Sequence, residues 1–147
     1  MELVYPVHLS PAVQEVAQRH LSNHERIHLI PPLTPDEMHN LMARSAFVMT
    51  DSGGLQEEAP ALGRPVLVLR RETERPEAVK AGTVRLAGTE AQAVYAQAAR
   101  LLTDPAAYAQ MAQAVNPYGD GQACRRIVDG ILWHYGLRET PPDAFSV

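Results

Sequence analysis

The 147 residues carry 13 Lys and Arg against 17 Asp and Glu, a formal net charge of −4. That balance excludes a broad basic surface for nucleic acid or an anionic membrane, so any phosphate must be held by a local site. Apolar residues make up 46 % of the chain, enough for one domain with its own core.

The single cysteine, Cys124, rules out an intrachain disulfide and fits a reducing cytoplasm. No apolar run approaches the ~18 residues of a membrane span. Met1-Glu2-Leu3-Val4-Tyr5-Pro6 lacks the basic and long apolar regions of a signal peptide.

In chain order, residues 2–7 read as a short strand that Pro6 helps to end. Ser10-Pro11 reads as an N-cap with proline at the first helical position. A helix to about Leu21 follows, with Val13, Val16, Ala17 and Leu21 on its apolar face. Residues 27–30 form a strand that Pro31-Pro32 stops. Thr34-Pro35-Asp36-Glu37 is a second helix start with acids in the first turn.

Ala46 to Thr50 is a strand without polar alternation, expected to be buried on both faces. A helix from Leu55 to Leu62 contains Pro60 and is closed by Gly63. Residues 65–69 are the next buried strand, and 70–82 a charged loop with a short helix at 76–81. A strand at 83–87, helices at 89–102 and from 105 to about 114, a turn-dense loop at 116–121 and a helix from 122 to about 135 complete the series. Strands alternating with helices give an α/β fold, a Rossmann-like parallel sheet flanked by helices. Ligands of such folds sit beyond the carboxyl ends of the strands.

The turn Asp51-Ser52-Gly53-Gly54 lies at such an end. Two glycines let a ligand approach the backbone, and the helix that follows presents unpaired amides and the positive end of its dipole. A diphosphate fits there, and Glu58, about one turn on, is placed to take ribose hydroxyls. The plainer alternative is a tight turn capped by Ser52, with Glu58 a solvated carboxylate. In Arg70-Arg71-Glu72-Thr73-Glu74-Arg75-Pro76-Glu77, one arginine can meet a phosphate while an acid holds it in place. Arg75 is the preferred one because Pro76 stiffens the chain after it; the alternative is a solvated loop.

His20, His24 and His28 recur every fourth position, but Ser22-Asn23 interrupts the helix, so a metal stripe is not expected. His8 follows a strand end and could reach a ligand or simply face solvent. Cys124 reads as a small core residue.

The stretches Tyr5–Pro11, Thr50–Leu67, Thr73–Thr83 and Asn116–Ala123, in this order, resemble the non-hydrolysing UDP-N-acetylglucosamine 2-epimerases. The resemblance implies one half of a glycosyltransferase-B-like two-domain architecture. It implies interconversion of UDP-GlcNAc and UDP-ManNAc, in which UDP is eliminated to leave a 2-acetamidoglucal and then adds back with the other configuration at C2. It implies no metal and no nicotinamide cofactor, a cytoplasmic enzyme of cell-envelope polysaccharide precursor synthesis, and a homodimer at full length.

By the same resemblance, Ser52, Gly53 and Gly54 hold the diphosphate, Glu58 the ribose, and Arg75 the substrate. The segment around Leu33 and Met38 lines the uridine pocket, although some relatives carry an aromatic residue where Met38 stands. His8 matches a histidine implicated in some relatives in binding a second, activating UDP-GlcNAc.

Members of that family are longer. Residues 1–136 correspond to a partial carboxyl-terminal UDP-binding domain without its first βα segment and without the amino-terminal domain that supplies the catalytic acids and bases; 137–147 is a loose tail. The chain alone is therefore expected to bind UDP without turnover. Two alternatives stand beside this reading. One is a UDP-sugar glycosyltransferase of the same architecture, against which the Thr-Glu-Arg-Pro-Glu and Asn-Pro-Tyr-Gly-Asp-Gly runs speak. The other is a non-catalytic truncated module.

Overall fold

A computed structural model describes residues 1–145. The chain divides into two compact units, Met1–Leu41 and the stretch from Met42 onward.

In the first unit, β1 (Leu3–Pro6) and β2 (Ile27–Ile30) pair in parallel, Leu3 opposite Ile27 and Pro6 opposite Ile30. Helix α1 (Pro11–Leu21) makes the crossover between them. It begins at Pro11 as expected, but the Ser10 side chain makes no capping bond; the Ser10 N–H instead donates to His8 Nδ1 at 3.0 Å. Of its expected apolar face, Ala17 is buried and Val13 and Leu21 are half-buried, whereas Val16 is 54 % exposed. Val16 lines an open cleft together with Tyr5 of β1 and His20.

Helix α2 (Pro35–Arg44) starts with a reciprocal capping box. Thr34 N–H and Oγ1 both donate to Glu37 Oε2, at 2.9 and 2.8 Å, and the Glu37 N–H reaches back to Thr34 Oγ1 at 3.5 Å. The amides of Thr34 and Glu37 are thereby satisfied by side chains. The Thr34 N–H, and after it the Thr34 hydroxyl, hold the Glu37 carboxyl below its usual range.

The second unit is built on a three-stranded parallel sheet in the order β3 (Val48–Thr50), β4 (Val66–Val68), β5 (Val84–Leu86). Helix α3 (Gly53–Ala61) connects β3 to β4, and α4 (Pro76–Ala81) connects β4 to β5. The central strand β4 is fully buried. Its Leu67 packs with Ala87, Leu101 and Met111, and Phe47, Leu69, Val94 and Ala98 close around that cluster. By strand alternation Val66 and Val68 point to the other face, where Ala59 of α3 and Ala78 of α4 are fully buried. Burying each such aliphatic side chain contributes ~1.5–3 kcal/mol. Gly82 ends α4 in the left-handed region, at φ 85°, which lets its N–H bond Ala78 O at 3.0 Å.

The Leu67–Leu101 cluster is roofed by α5 (Ala91–Thr103) and α6 (Pro105–Ala112). The last helix, α7 (Ala123–His134), buries none of its residues. Asp120 in the preceding loop grips Arg126 with both carboxylate oxygens at 2.7 Å, which holds its carboxyl well below the usual range.

Two expectations fail here. The strand around Val48 is not buried on both faces, because β3 is the edge of its sheet and Met49 is 37 % exposed. Cys124 is exposed rather than part of a core, because α7 turns that side to solvent.

Candidate functional site

At the carboxyl end of β3 the chain turns sharply. The Ser52 N–H donates to Thr50 Oγ1 at 2.9 Å, and α3 begins at Gly53, two residues earlier than expected. Gly53 and Gly54 therefore occupy the first turn of the helix itself, and neither has a positive φ. Their conformation would suit alanine, which favours a helix by roughly 0.5–1 kcal/mol over glycine.

Gly54 leaves room beside it, whereas the Glu74 carboxylate fills the space at Gly53. A Cβ on Gly54 would meet only Glu58 Oε1 at 3.5 Å and Ser52 Oγ at 3.9 Å. A Cβ on Gly53 would lie 2.6 Å from Glu74 Oε1 and 3.8 Å from Arg75 Nη2. The Ser52 hydroxyl makes no capping bond, so the helix head lacks the usual side-chain acceptor. The turn capped by Ser52, the plainer alternative, is not what forms.

Arg75 reaches this helix head from the loop after β4. Its Nε donates to Glu57 Oε1 of α3, a bond that raises the guanidinium pKa against the opposing pull of burial. The acid that fixes Arg75 thus comes from the glycine helix and not from its own charged run. The other two arginines make ion pairs of their own. Arg70 pairs with Glu74 at 2.9 Å, and Arg71 with Glu90 at 3.4 Å.

Beneath these groups lies a polar bridge that the sequence did not announce. Gln56 is fully buried in α3; its Nε2 donates to Ser52 O at 3.2 Å, and its Oε1 accepts from Thr73 Oγ1 at 2.6 Å. Thr73 Oγ1 in turn accepts the Arg75 N–H at 3.1 Å. One buried amide therefore sets the turn at Ser52 against the loop that carries Arg75. The only hint in the sequence is that Gln56 lies three and four positions before Ala59 and Pro60, on the core side of the helix.

The Asn116–Gly121 loop joins the same region. Burial pushes the Tyr118 phenol up, and the neighbouring Glu77 and Glu57 carboxylates add to that while Arg75 opposes it.

The second unit thus brings Ser52, Gly53, Gly54, Glu58 and Arg75 together. Leu33, Met38 and His8 belong to the first unit, where Leu33 and Met38 are half-buried and His8 is exposed. Among the described residues no group of three or more His, Cys, Asp or Glu side chains could hold a metal. His28 pairs with Glu2 at 2.8 Å, and His24 Nδ1 accepts the Arg26 N–H. No described helix is long and apolar enough to cross a membrane.

Parallel strands joined by helices, with a helix opening on two glycines after β3, define a parallel α/β protein. Residues 1–132 match the family model described as UDP-N-acetylglucosamine 2-epimerase, and the chain belongs to that family.

It is 57 % identical to the UDP-N-acetylglucosamine 2-epimerase of Bacillus subtilis (strain 168) over 146 residues, 99 % of this chain and 38 % of that protein. A crystal structure of a UDP-N-acetylglucosamine 2-epimerase superposes with a TM-score of 0.93 at 57 % identity, over 99 % of this chain and 39 % of the other. The S. aureus MnaA structure with UDP matches with a TM-score of 0.90 at 51 % identity, over 99 % and 40 %. The chain spans about two fifths of the length of these relatives, and its fold is the parallel α/β fold expected from the resemblance.

Proposed function

We propose that this chain is the UDP-holding part of a UDP-N-acetylglucosamine 2-epimerase, a protein that interconverts UDP-GlcNAc and UDP-ManNAc by eliminating and re-adding UDP. The observation that carries the reading is the head of α3. Two glycines stand there in helical conformation, the Ser52 hydroxyl makes no capping bond, and Arg75 is braced beside them. Helix amides and dipole attract a diphosphate, and a guanidinium adds a charged hydrogen bond.

In this reading Ser52, Gly53 and Gly54 hold the diphosphate, Arg75 neutralises it, and Glu58 takes the ribose hydroxyls. Leu33 and Met38 line the base pocket, and His8 serves a second UDP-GlcNAc. Holding UDP matters to the chemistry because UDP is both leaving group and nucleophile. When the C1–O bond breaks and the C2 proton departs, a retained UDP can add back to the 2-acetamidoglucal while a proton returns to the opposite face of C2. The groups that move that proton belong to the portion of the relatives that this chain does not span. A cytoplasmic homodimer making envelope-polysaccharide precursors completes the reading.

Calorimetric titration of the chain with UDP, with UMP as control, tests it. Saturable binding that prefers UDP is the expected result. Equal binding of UMP, or no binding, would remove the diphosphate from the α3 head.

A further inference from the structure

The head of α3 already holds a carboxylate at the point where a ligand would come closest. Glu74 Oε1 lies 2.6 Å from the position a Cβ on Gly53 would take, and Arg75 Nη2 lies 3.8 Å from it. A glycine at a phosphate turn serves by letting an anion come against the backbone at that position. Here the oxygen that does so is the protein's own.

Three charges draw it there. The carboxylate sits at the positive end of the α3 dipole. Arg70 Nη1 donates to Glu74 Oε2 at 2.9 Å. Arg75 is near enough that the Glu74 charge adds to the stronger influence of Glu57 in raising the guanidinium pKa.

The hold is nevertheless weak. Among the described residues Glu74 accepts from Arg70 and from no amide of α3. Asp104, by contrast, accepts two amides of its own helix, α6. Glu74 comes from another segment, fills the space at Gly53 and satisfies none of the amides there. Its side chain is 47 % exposed and that of Arg70 41 %, and an ion pair so exposed contributes little. Turning the carboxylate out to solvent moves no backbone. Thr73 ties the loop to Gln56, and Glu57 ties Arg75 to α3.

We propose that Glu74 is a displaceable internal anion, which stands at the α3 head in place of a phosphate oxygen of the ligand and competes with it. Glu74 then sets the affinity of the site without helping to hold the ligand. The inference rests on the UDP reading of this site. Two like-charged groups cannot share the space beside Gly53. A diphosphate brings more charge and more acceptor oxygens than a carboxylate, so it takes the space and Glu74 turns out to solvent. The apparent dissociation constant is the intrinsic one divided by the fraction of molecules in which the carboxylate is out.

The test is Glu74→Ala, with Glu74→Gln beside it, in calorimetric titration with UDP and in amide NMR of the chain before UDP is added. The side chain is half-exposed, so both variants should melt within about 2 °C of the parent. Loss of a group that holds a ligand weakens binding, whereas loss of a competitor tightens it. Glu74→Ala should bind UDP roughly three- to tenfold more tightly than the parent. Glu74→Gln keeps the volume without the charge and should gain less. Before UDP is added, the Gly53 and Gly54 amide signals should shift in both variants while those of β5 stay in place.

Weaker or unchanged UDP binding by Glu74→Ala would overturn the proposal, and so would a Gly53 amide indifferent to the substitution. A parent that binds UDP, with Glu74→Ala no tighter, ends the proposal alone. A parent that does not bind UDP ends the underlying reading and the proposal with it.

Discussion

Asp104 at the head of α6 accepts the N–H groups of Ala106 and Ala107, both at 3.0 Å, with proline at the next position. The Ser52 hydroxyl at the head of α3 makes no capping bond to its helix, and two glycines follow where Pro105 and Ala106 stand in α6. The first arrangement serves stability: a carboxylate satisfies amides and meets the helix dipole. The second forgoes that stability in the same unit of the same chain, and sets a braced arginine nearby. A helix that gives up both a cap and good helix formers, beside a fixed cation, has its first turn shaped for something other than itself.

Giving α3 the cap of α6 is the strongest way to break the contrast. Ser52→Asp should raise the melting temperature slightly and weaken UDP binding by roughly a hundredfold or more, because like charges meet at the site. A variant that still binds UDP as the parent does would move the ligand elsewhere. Arg75→Ala comes next, with a loss of roughly ten- to a hundredfold in titration calorimetry. Unchanged affinity would exclude Arg75 from the site.

Gly54→Ala separates room from conformation. The added methyl meets only ordinary contacts within the protein, so the chain should gain up to ~1 kcal/mol in thermal unfolding while UDP binding falls several-fold. Loss of stability would mean that glycine is needed for the backbone and not for a ligand.

The smallest effect sharpens the α6 side. The amides of Ala107 and Ala106 hold the Asp104 carboxyl below its usual range, Ala107 contributing most. A lowered folded pKa stabilises at pH above the unfolded value, and the gain is lost as pH falls through the folded one. Asp104→Asn should therefore melt a little below the parent near neutrality. The gap should close as pH drops below ~4. A gap that persists in acid would mean that the carboxylate's charge contributes nothing.

Much of this was legible beforehand because the signals are local. Proline at the helix starts, Thr34 with Glu37, and Gly63 and Gly82 at helix ends act within a few residues of themselves, and every expected strand and helix is present. The tight turn after β3 at Ser52 was legible in the same way. What escaped depends on distant neighbours. Met49 and Val16 look like core residues by type, but both are exposed, Met49 on the edge strand of its sheet and Val16 in an open cleft. Gln56 reads as a surface glutamine until Thr73, seventeen positions on, closes over it. Glu57 braces Arg75 across eighteen positions, a distance at which spacing carries no signal.

The buried Gln56 has a consequence for how the protein responds to a ligand. Because its amide spans Ser52 O and Thr73 Oγ1, the Arg75 loop is ordered when the chain folds and not when a ligand arrives. Little conformational entropy is then left to lose on association, which favours a rapid encounter with a preformed site. The same link makes loosening of the loop and loosening of the α3 turn a single event, so a bound ligand should slow amide exchange in both segments together.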